Sequence, residues 1–372
     1  MRVLLAISSL HRGGAERQLV ELVARIDRAR YTPLLALCDT TDEFGVQLPP
    51  SQIFDLRSPR GSTVLTFARL VALLRRERPD VTHTFGGLLN LYGRMAVRAT
   101  GIGRHVSAVR AGIPYPRDLR NEALTWRWTD AIVANSAGIR DVLVERARIP
   151  AARITVIENG VDTARFCPCD EEARGRLRDA LGMRGVVVVL PARLSDEKNQ
   201  LGAVDAMGVL RRRGALPDNL SLWLLGRVDE GPLARTLHAR VEAAGVGDAL
   251  RLCGATDHVE RYLAAADATL LPSHFEGMPN VVLESLACST LAVVSPPANR
   301  DAIVVDGVHG VELAGTSAEA IADGLLRVAT LDEAARRAMG QRGRDKVLAS
   351  FTLDRMVART CAVYDAVAAP SG

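Results

Sequence analysis

Short runs of Val, Ile, Leu and Ala alternate along the chain with stretches of ten or more residues whose apolar positions recur every three or four places. That rhythm predicts parallel strands buried on both faces and joined by amphipathic helices, an α/β class. In the first half the runs predict strands at 2–8, 32–38, 80–84, 105–109, 130–135 and 154–157, with helices at 14–26, 63–76, 87–99 and 136–147. The rhythm restarts after residue 170, with strands at 186–191, 220–225, 250–253, 267–271 and 291–295 and helices at 199–212, 231–244, 280–288 and 317–329. Phe166-Cys167-Pro168-Cys169-Asp170 interrupts the pattern and places a linker at about 160–172. The expected domains are 1–165 and 166–351, followed by a helical C-terminal segment within 352–372. That last helix, patterned over 352–366 after another at 332–348, has two placements open to it: outside the second sheet, or back on the first domain.

The chain has 372 residues, 48% of them hydrophobic, enough to bury a core in each half. Aromatics are only 4%, which gives no stacking platform for single-stranded nucleic acid, and none is expected as a partner. The net charge of +4 is uneven: residues 1–165 hold 24 Arg against 16 Asp and Glu. Lys198 and Lys346 are the only lysines, and the arginines spread evenly along helices, as a compositional bias would place them. A sharper consequence is a basic first half suited to an anionic membrane surface or an anionic acceptor. Six cysteines at 38, 167, 169, 253, 288 and 361 form no CxxC pair and no zinc spacing, so a reduced cytoplasmic protein is expected. Met1-Arg2 runs straight into Val3-Leu4-Leu5-Ala6-Ile7, too short for a signal-peptide core. No stretch reaches the ~18 apolar residues of a membrane span, so any membrane contact is expected to be peripheral, on the inner face.

Missing motifs narrow the chemistry. There is no G-x-G-x-x-G after the first strand and no G-x-x-x-x-G-K-[ST], against a dinucleotide oxidoreductase and a P-loop nucleotidase. G-x-S-x-G and H-E-x-x-H are also missing. Asp-x-Asp does not occur, so a bound diphosphate would have to be neutralised by cationic side chains and helix N-termini rather than by a carboxylate-held metal.

The strongest signal is Leu270-Leu271-Pro272-Ser273-His274-Phe275-Glu276-Gly277-Met278-Pro279-Asn280-Val281-Val282-Leu283-Glu284. A strand ends at Pro272, a loop carries Glu276 and Gly277, and Pro279 is expected as the first residue of a helix holding Glu284. A single Glu near a helix start is ordinarily a dipole interaction. Two glutamates around a Gly-x-Pro turn are not explained that way, and the spacing resembles the E-x7-E signature of retaining GT-B glycosyltransferases, family 4 in particular. Pro191-Ala192-Arg193-Leu194-Ser195-Asp196-Glu197-Lys198-Asn199 is similar to the R-x4-K segment of that family. Ser8-Ser9-Leu10-His11-Arg12-Gly13-Gly14-Ala15-Glu16-Arg17 resembles its Gly-Gly-Ala-Glu loop after the first strand, and Glu158-Asn159-Gly160-Val161-Asp162 its N-G-V-D segment, which reads as a structural turn.

The resemblance covers nearly the whole chain. It implies a GT-B fold, two Rossmann-like doubly wound parallel-sheet domains facing across a cleft, with the acceptor on the first and a nucleotide-sugar donor on the second. It implies catalytic roles for Arg193, Lys198 and Glu276, the cations on the diphosphate and Glu276 on the sugar hydroxyls. It gives the ribose to Glu284 and the remaining donor contacts to Gly13, Gly14, Gly277, Met278, Pro279 and Asn280, with Gly226-Arg227 and Cys253-Gly254 as walls for the base. His83, after a strand in Val81-Thr82-His83-Thr84-Phe85, is an acceptor-side candidate, though a lone histidine at a strand end is more often a structural hydrogen-bonding residue than a catalytic one. Many family members carry a histidine at the end of the next strand; here Arg110 stands there, and an arginine holds anions but cannot act as a base. The expected activity is α-retaining, metal-independent transfer from a nucleotide diphosphate sugar, with no cofactor and UDP as the commonest carrier. The acceptor is either a lipid-linked or saccharide intermediate of the cell envelope or a small natural product. Two rivals stand beside it: a GT-B nucleotide-sugar epimerase, and a catalytically idle scaffold with the same fold.

Overall fold

The computed structural model of the protein describes residues 1–57, 62–110, 116–227 and 231–369, in two compact α/β units. The first is Met1–Gly160 together with the C-terminal segment from Leu353, and the second is Val161–Thr352.

Seven parallel strands build the first unit: β1 (Arg2–Ile7), β2 (Thr32–Leu37), β3 (Ile53–Asp55), β4 (Val81–Phe85), β5 (Arg104–Val109), β6 (Ala131–Ala134) and β7 (Ile154–Val156). Their order is β3-β2-β1-β4-β5-β6-β7, so the winding reverses between β1 and β4. Helices α1 (Gly14–Arg25), α2 (Thr63–Glu77), α3 (Gly87–Thr100), α4 (Pro116–Thr125) and α5 (Ala137–Ala147) cover the sheet. The period of two along β1 explains why the run is apolar throughout. Val3, Leu5 and Ile7 pack with Leu19, Leu22 and Val23 of α1, while Leu4 and Ala6 face Leu70 and Leu74 of α2 and Ala96 of α3.

The second unit is a six-stranded parallel sheet of β8 (Val186–Pro191), β9 (Leu220–Leu225), β10 (Leu250–Gly254), β11 (Ala268–Leu271), β12 (Leu291–Val294) and β13 (Gly310–Glu312), ordered β10-β9-β8-β11-β12-β13. Its helices are α6 (Glu171–Leu181), α7 (Gln200–Arg212), α8 (Pro232–Ala244), α9 (Val259–Ala265), α10 (Asn280–Ala287), α11 (Ala318–Thr330) and α12 (Glu333–Ser350). α7 and α11 pack on one face and α9 and α10 on the other. Phe166 is buried in this second core, so the chain crosses at Gly160–Val161, ahead of the interruption at Phe166–Asp170. Val161 N–H donates to Phe351 O at 2.8 Å, laying the outgoing and returning segments side by side.

The last helix, α13 (Leu353–Ala368), belongs to the first unit: Leu353, Met356, Val357 and Tyr364 enter the core that holds α1 and β4. Arg359 pairs with Glu158 and donates to Val156 O, and Tyr31 Oη donates to Asp365 at 2.7 Å. Among the described residues no helix is long and apolar enough to cross a membrane.

Candidate functional site

In the second unit the chain leaves β8 at Pro191 and makes a short turn at Asp196–Lys198 before α7. Asn199 ends that turn in the left-handed region at φ 57°, a conformation asparagine tolerates better than most residues. Its Nδ2 donates to Pro272 O at 3.1 Å and to Thr316 O at 2.9 Å, fastening the turn to the loop after β11 and to the segment before α11. His274 N–H donates to Glu197 O at 2.8 Å, and Gln200, itself buried, donates to Arg193 O at 2.7 Å. The two loops are thereby held together by main-chain and amide bonds, and the charged groups they carry inherit that fixity.

Lys198 Nζ donates to Glu276 Oε1 at 2.6 Å, and Ser273 Oγ donates to the same oxygen at 2.8 Å. The pair is mostly withdrawn from solvent, with side chains 20% and 10% exposed. Ser273 is positioned in turn by Ser295, whose hydroxyl donates to Ser273 O at 2.6 Å. Arg193 is not drawn into this group. Its side chain is 70% exposed and pairs with Glu197 four residues on, so the two cations of the R-x4-K segment hold different carboxylates.

Gly277 and Met278 lead from Glu276 to α10. The Met278 side chain is buried in the core with Val282 and Leu283, which leaves its main chain as the part able to meet a ligand. Asn280 is the first helical residue, as the 280–288 pattern predicts, and Pro279 is the N-cap rather than the first helical residue; a Pro at either place sacrifices no intrahelical bond. Glu284 lies one turn into α10 and is buried. At the ends of the neighbouring strands Gly226 N–H donates to Gly254 O at 2.8 Å, and a Cβ on Gly226 would stand 2.0 Å from Ala192 O. Only glycine allows β9 to end this close to the segment that carries Arg193. Arg227 and Cys253 flank these two glycines.

In the first unit Gly13 caps α1 without a side-chain bond, and Gly14 is the first helical residue. A Cβ on Gly13 would meet the Glu16 carboxylate at 2.2 Å. Gln18 Nε2 donates to Gly160 O at 2.8 Å and Gly160 N–H returns a bond to Gln18 Oε1 at 2.9 Å, so the Gly-Gly loop and the Asn-Gly turn are brought together. Arg110 follows β5 and donates to Asn159 Oδ1 at 2.5 Å, while its carbonyl accepts from Asn135 Nδ2 at 3.0 Å. Burial draws the Arg110 guanidinium down to about 10, partly offset by the Glu16 carboxylate. It therefore stays cationic at neutral pH.

His83 requires a correction. It stands in the middle of β4 rather than after it, only 2% exposed, with Nδ1 2.7 Å from the Tyr364 hydroxyl of α13 and its ring centred 4.3 Å from that of Phe85. Burial, with Arg110 nearby, pushes it down to about 3, so the ring is neutral throughout the physiological range. Position and partner make it a core histidine.

Several residues of these clusters have no signature in the sequence. Ser273 is in the quoted segment but only the fold shows that its hydroxyl supports Glu276. Gln18 and Gly160 are too far apart in the chain to be linked by any local pattern. Among the described residues no group of three or more His, Cys, Asp or Glu side chains is placed to hold a metal ion.

Two parallel-sheet units, each with its charged groups and glycines at strand ends, define a GT-B fold. Residues 12–165 match the family described as Glycosyltransferase Family 4, and residues 179–346 the family described as Glycosyl transferases group 1. The chain belongs to glycosyltransferase family 4. It is 34% identical over 245 residues, 63% of its length, to a D-inositol 3-phosphate glycosyltransferase of Salinispora tropica, and spans 50% of that relative. It is 24% identical over 307 residues to the Escherichia coli UDP-Gal:alpha-D-GlcNAc-diphosphoundecaprenol alpha-1,3-galactosyltransferase, covering 79% of this chain and 77% of that one. Among solved structures, Anabaena Alr3699/HepE in complex with UDP superposes with a TM-score of 0.84 at 19% identity, over 98% of this chain and 100% of that one.

Proposed function

We propose that this protein transfers a sugar, with retention at the anomeric carbon and without a divalent metal, from a nucleotide diphosphate sugar to an acceptor hydroxyl in cell-envelope glycan assembly. One observation carries the reading: a shielded Lys198–Glu276 pair at the ends of β8 and β11, one loop away from the start of α10 and Glu284. An ammonium has three donors, so Lys198 keeps capacity for phosphate oxygens while Glu276 orients it. As the bond between the anomeric carbon and the phosphate oxygen breaks, negative charge grows on the diphosphate, and Lys198 and Arg193 stabilise it more in the transition state than before. Glu276 accepts hydrogen bonds from the sugar hydroxyls and Glu284 from the ribose. Gly13 and Gly14, with the main chain from Gly277 to Asn280, complete the donor contacts. The acceptor oxygen attacks the face from which the leaving group departs, and its proton passes to the departing phosphate oxygen. The products are the glycoside and the nucleoside diphosphate.

UDP is the carrier we assign, and a lipid-linked saccharide the acceptor. The name of the E. coli relative joins a UDP-sugar to a lipid diphosphate acceptor, and the basic first half suits an anionic one. The test is a melting-temperature screen against UDP-, GDP- and ADP-sugars, with and without chelator. A ligand at about 100 times its Kd stabilises by about 2.7 kcal/mol, a readily measured shift. A UDP-sugar is expected to shift the transition in both conditions. No shift with any nucleotide sugar overturns the donor site, and activity lost to chelator but restored by a divalent ion overturns metal independence. Conversion of donor to an epimer without acceptor overturns transfer itself.

A further inference from the structure

The loop between β1 and α1, which ends in Gly13-Gly14, runs beside the segment that follows β2, and the two main chains are laced together. Asp39 N–H donates to Ser8 O at 2.7 Å, Leu10 N–H to Thr41 O at 3.2 Å and Glu43 N–H to Leu10 O at 3.1 Å. Leu10, fully buried, pins the middle of the loop to the core of the first unit. Asp42 folds the next turn of the neighbouring segment by accepting from the N–H groups of Phe44, Gly45 and Val46. His11 and Arg12, immediately before the two glycines, lie beyond this main-chain lacing, and there side chains take over.

Glu43 engages that stretch with both oxygens. Its Oε2 accepts from Arg12 N–H at 2.8 Å, and its Oε1 lies 3.3 Å from His11 Nδ1. The other ring nitrogen, Nε2, lies 3.4 Å from Asp39 Oδ2, while Asp39 Oδ1 accepts from Thr41 N–H at 3.0 Å and from Thr41 Oγ1 at 2.8 Å. An ionised carboxylate only accepts, and a neutral imidazole donates from one nitrogen alone. The ring therefore serves both carboxylates only as the imidazolium. Its pKa is raised, by Glu43 first and by Asp39 after it. Two further charges act on these carboxylates: Arg12 on Glu43 and Arg57 on Asp39. With a raised pKa in the fold, the double contact is complete at lower pH and is lost as pH rises through that value.

We propose that Glu43 and His11 are positioning residues for the nucleotide: as a clamp they hold the Gly13-Gly14 loop in the shape that meets the diphosphate, and the hold slackens when His11 gives up its proton. The role in nucleotide binding rests on the transfer reading above; the clamp does not. Both residues act through main chain. Arg12 adjoins Gly13, the N-cap of α1, so the bond from Arg12 N–H to Glu43 sets the direction in which the chain enters the two glycines. The His11 side chain is 53% exposed, so it exchanges protons freely with solvent, and its contacts are of the modest strength of exposed ion pairs.

The test pairs two measurements on the full chain. NMR titration of the His11 ring without nucleotide is expected to give a midpoint above the ordinary value of about 6.5, and one closer to it in Glu43→Gln. Calorimetric binding of UDP at about pH 6 is expected to weaken about three- to fivefold in Glu43→Gln, the scale of one exposed charged contact. His11→Lys, a cation at every pH used, is expected to match the wild type at about pH 6 and to bind UDP about three- to fivefold more tightly than it at about pH 9. That comparison cancels the ionisation of UDP itself. A midpoint at or below the ordinary value overturns the clamp. Unchanged UDP binding in Glu43→Gln overturns the positioning role, and so does tighter binding, which is what removing a negative charge near a diphosphate would do by electrostatics alone. No UDP binding by the wild type, with the midpoint still raised, leaves the clamp in place and removes the transfer reading.

Discussion

Lys198 is a lysine in a chain that otherwise uses arginine for nearly every cation, and the geometry around it explains the preference. Its ammonium reaches one oxygen of Glu276 that Ser273 already occupies from another side, a fit for a compact point donor rather than a planar fork. Lys198→Ala is expected to lower turnover by about 10²–10³, the scale for losing one charge-stabilising donor, and Lys198→Arg to restore only part of it; nucleotide release assayed with saturating donor and acceptor decides. Unchanged turnover in Lys198→Ala removes it from the chemistry. Arg193, exposed and paired within its own turn, is expected to contribute through the same charge, and Arg193→Ala to fall in the same range. His83 carries a different expectation. Its pKa is about 3 in the fold and about 6.5 when unfolded, so between those values the unfolded chain binds the extra proton. Stability is therefore full above about pH 6.5 and declines as pH falls toward 3, by about 2 kcal/mol at pH 5 from this residue alone. His105, buried and also pushed well below its ordinary value by burial and Arg94, adds to the same decline. Urea unfolding at pH 7, 6 and 5 measures it, and His83→Gln is expected to make the profile shallower; an identical profile in that variant contradicts the assignment.

At the scale of elements, what the sequence reveals and what it hides divide along a physical line. Strands such as Val3–Ile7 and Val186–Leu190 are apolar throughout because both faces are covered, so they stand out without any partner being known. Helices α1, α2 and α3 show stripes because one side of each packs on the sheet and the other faces solvent. β3 (Ile-Phe-Asp) and β13 (Gly-Val-Glu) hold at most two apolar residues each, and α6 buries no residue fully, so none leaves a pattern strong enough to read. The loops that carry Lys198 and Glu276 are legible because glycine, proline and paired charges recur there in a recognisable order. The supports were not, because Asn199, Gln200 and Ser295 act through hydrogen bonds to main chain distant in sequence. One element-level support is charged. Arg94 of α3 and Glu122 of α4 form a pair 0% and 3% exposed at 2.5 Å, and Arg94 also donates to Thr125 Oγ1 and Ser107 Oγ. Glu122→Ala strands a buried guanidinium and is expected to destabilise by about 3–5 kcal/mol, whereas Arg94→Met with Glu122→Leu is expected to recover most of it, measured by chemical unfolding.

Across the whole molecule, the core on one sheet is closed by a helix that follows the other unit in the chain. α13 closes the core over β4 with Tyr364, and Arg359 ties it to the segment after β7. A chain ending at Thr352 is expected to leave that apolar surface bare, with a lower melting temperature and aggregation of the first unit; scanning calorimetry of the two lengths checks this. The discontinuity also orders biosynthesis. Val161–Thr352 is contiguous and has all its elements once it clears the ribosome, while the core on the seven-stranded sheet waits for α13, which is made after it. The discontinuous unit is therefore sealed after the contiguous one, so a nascent chain halted before α13 would hold a finished second unit and an unsealed first.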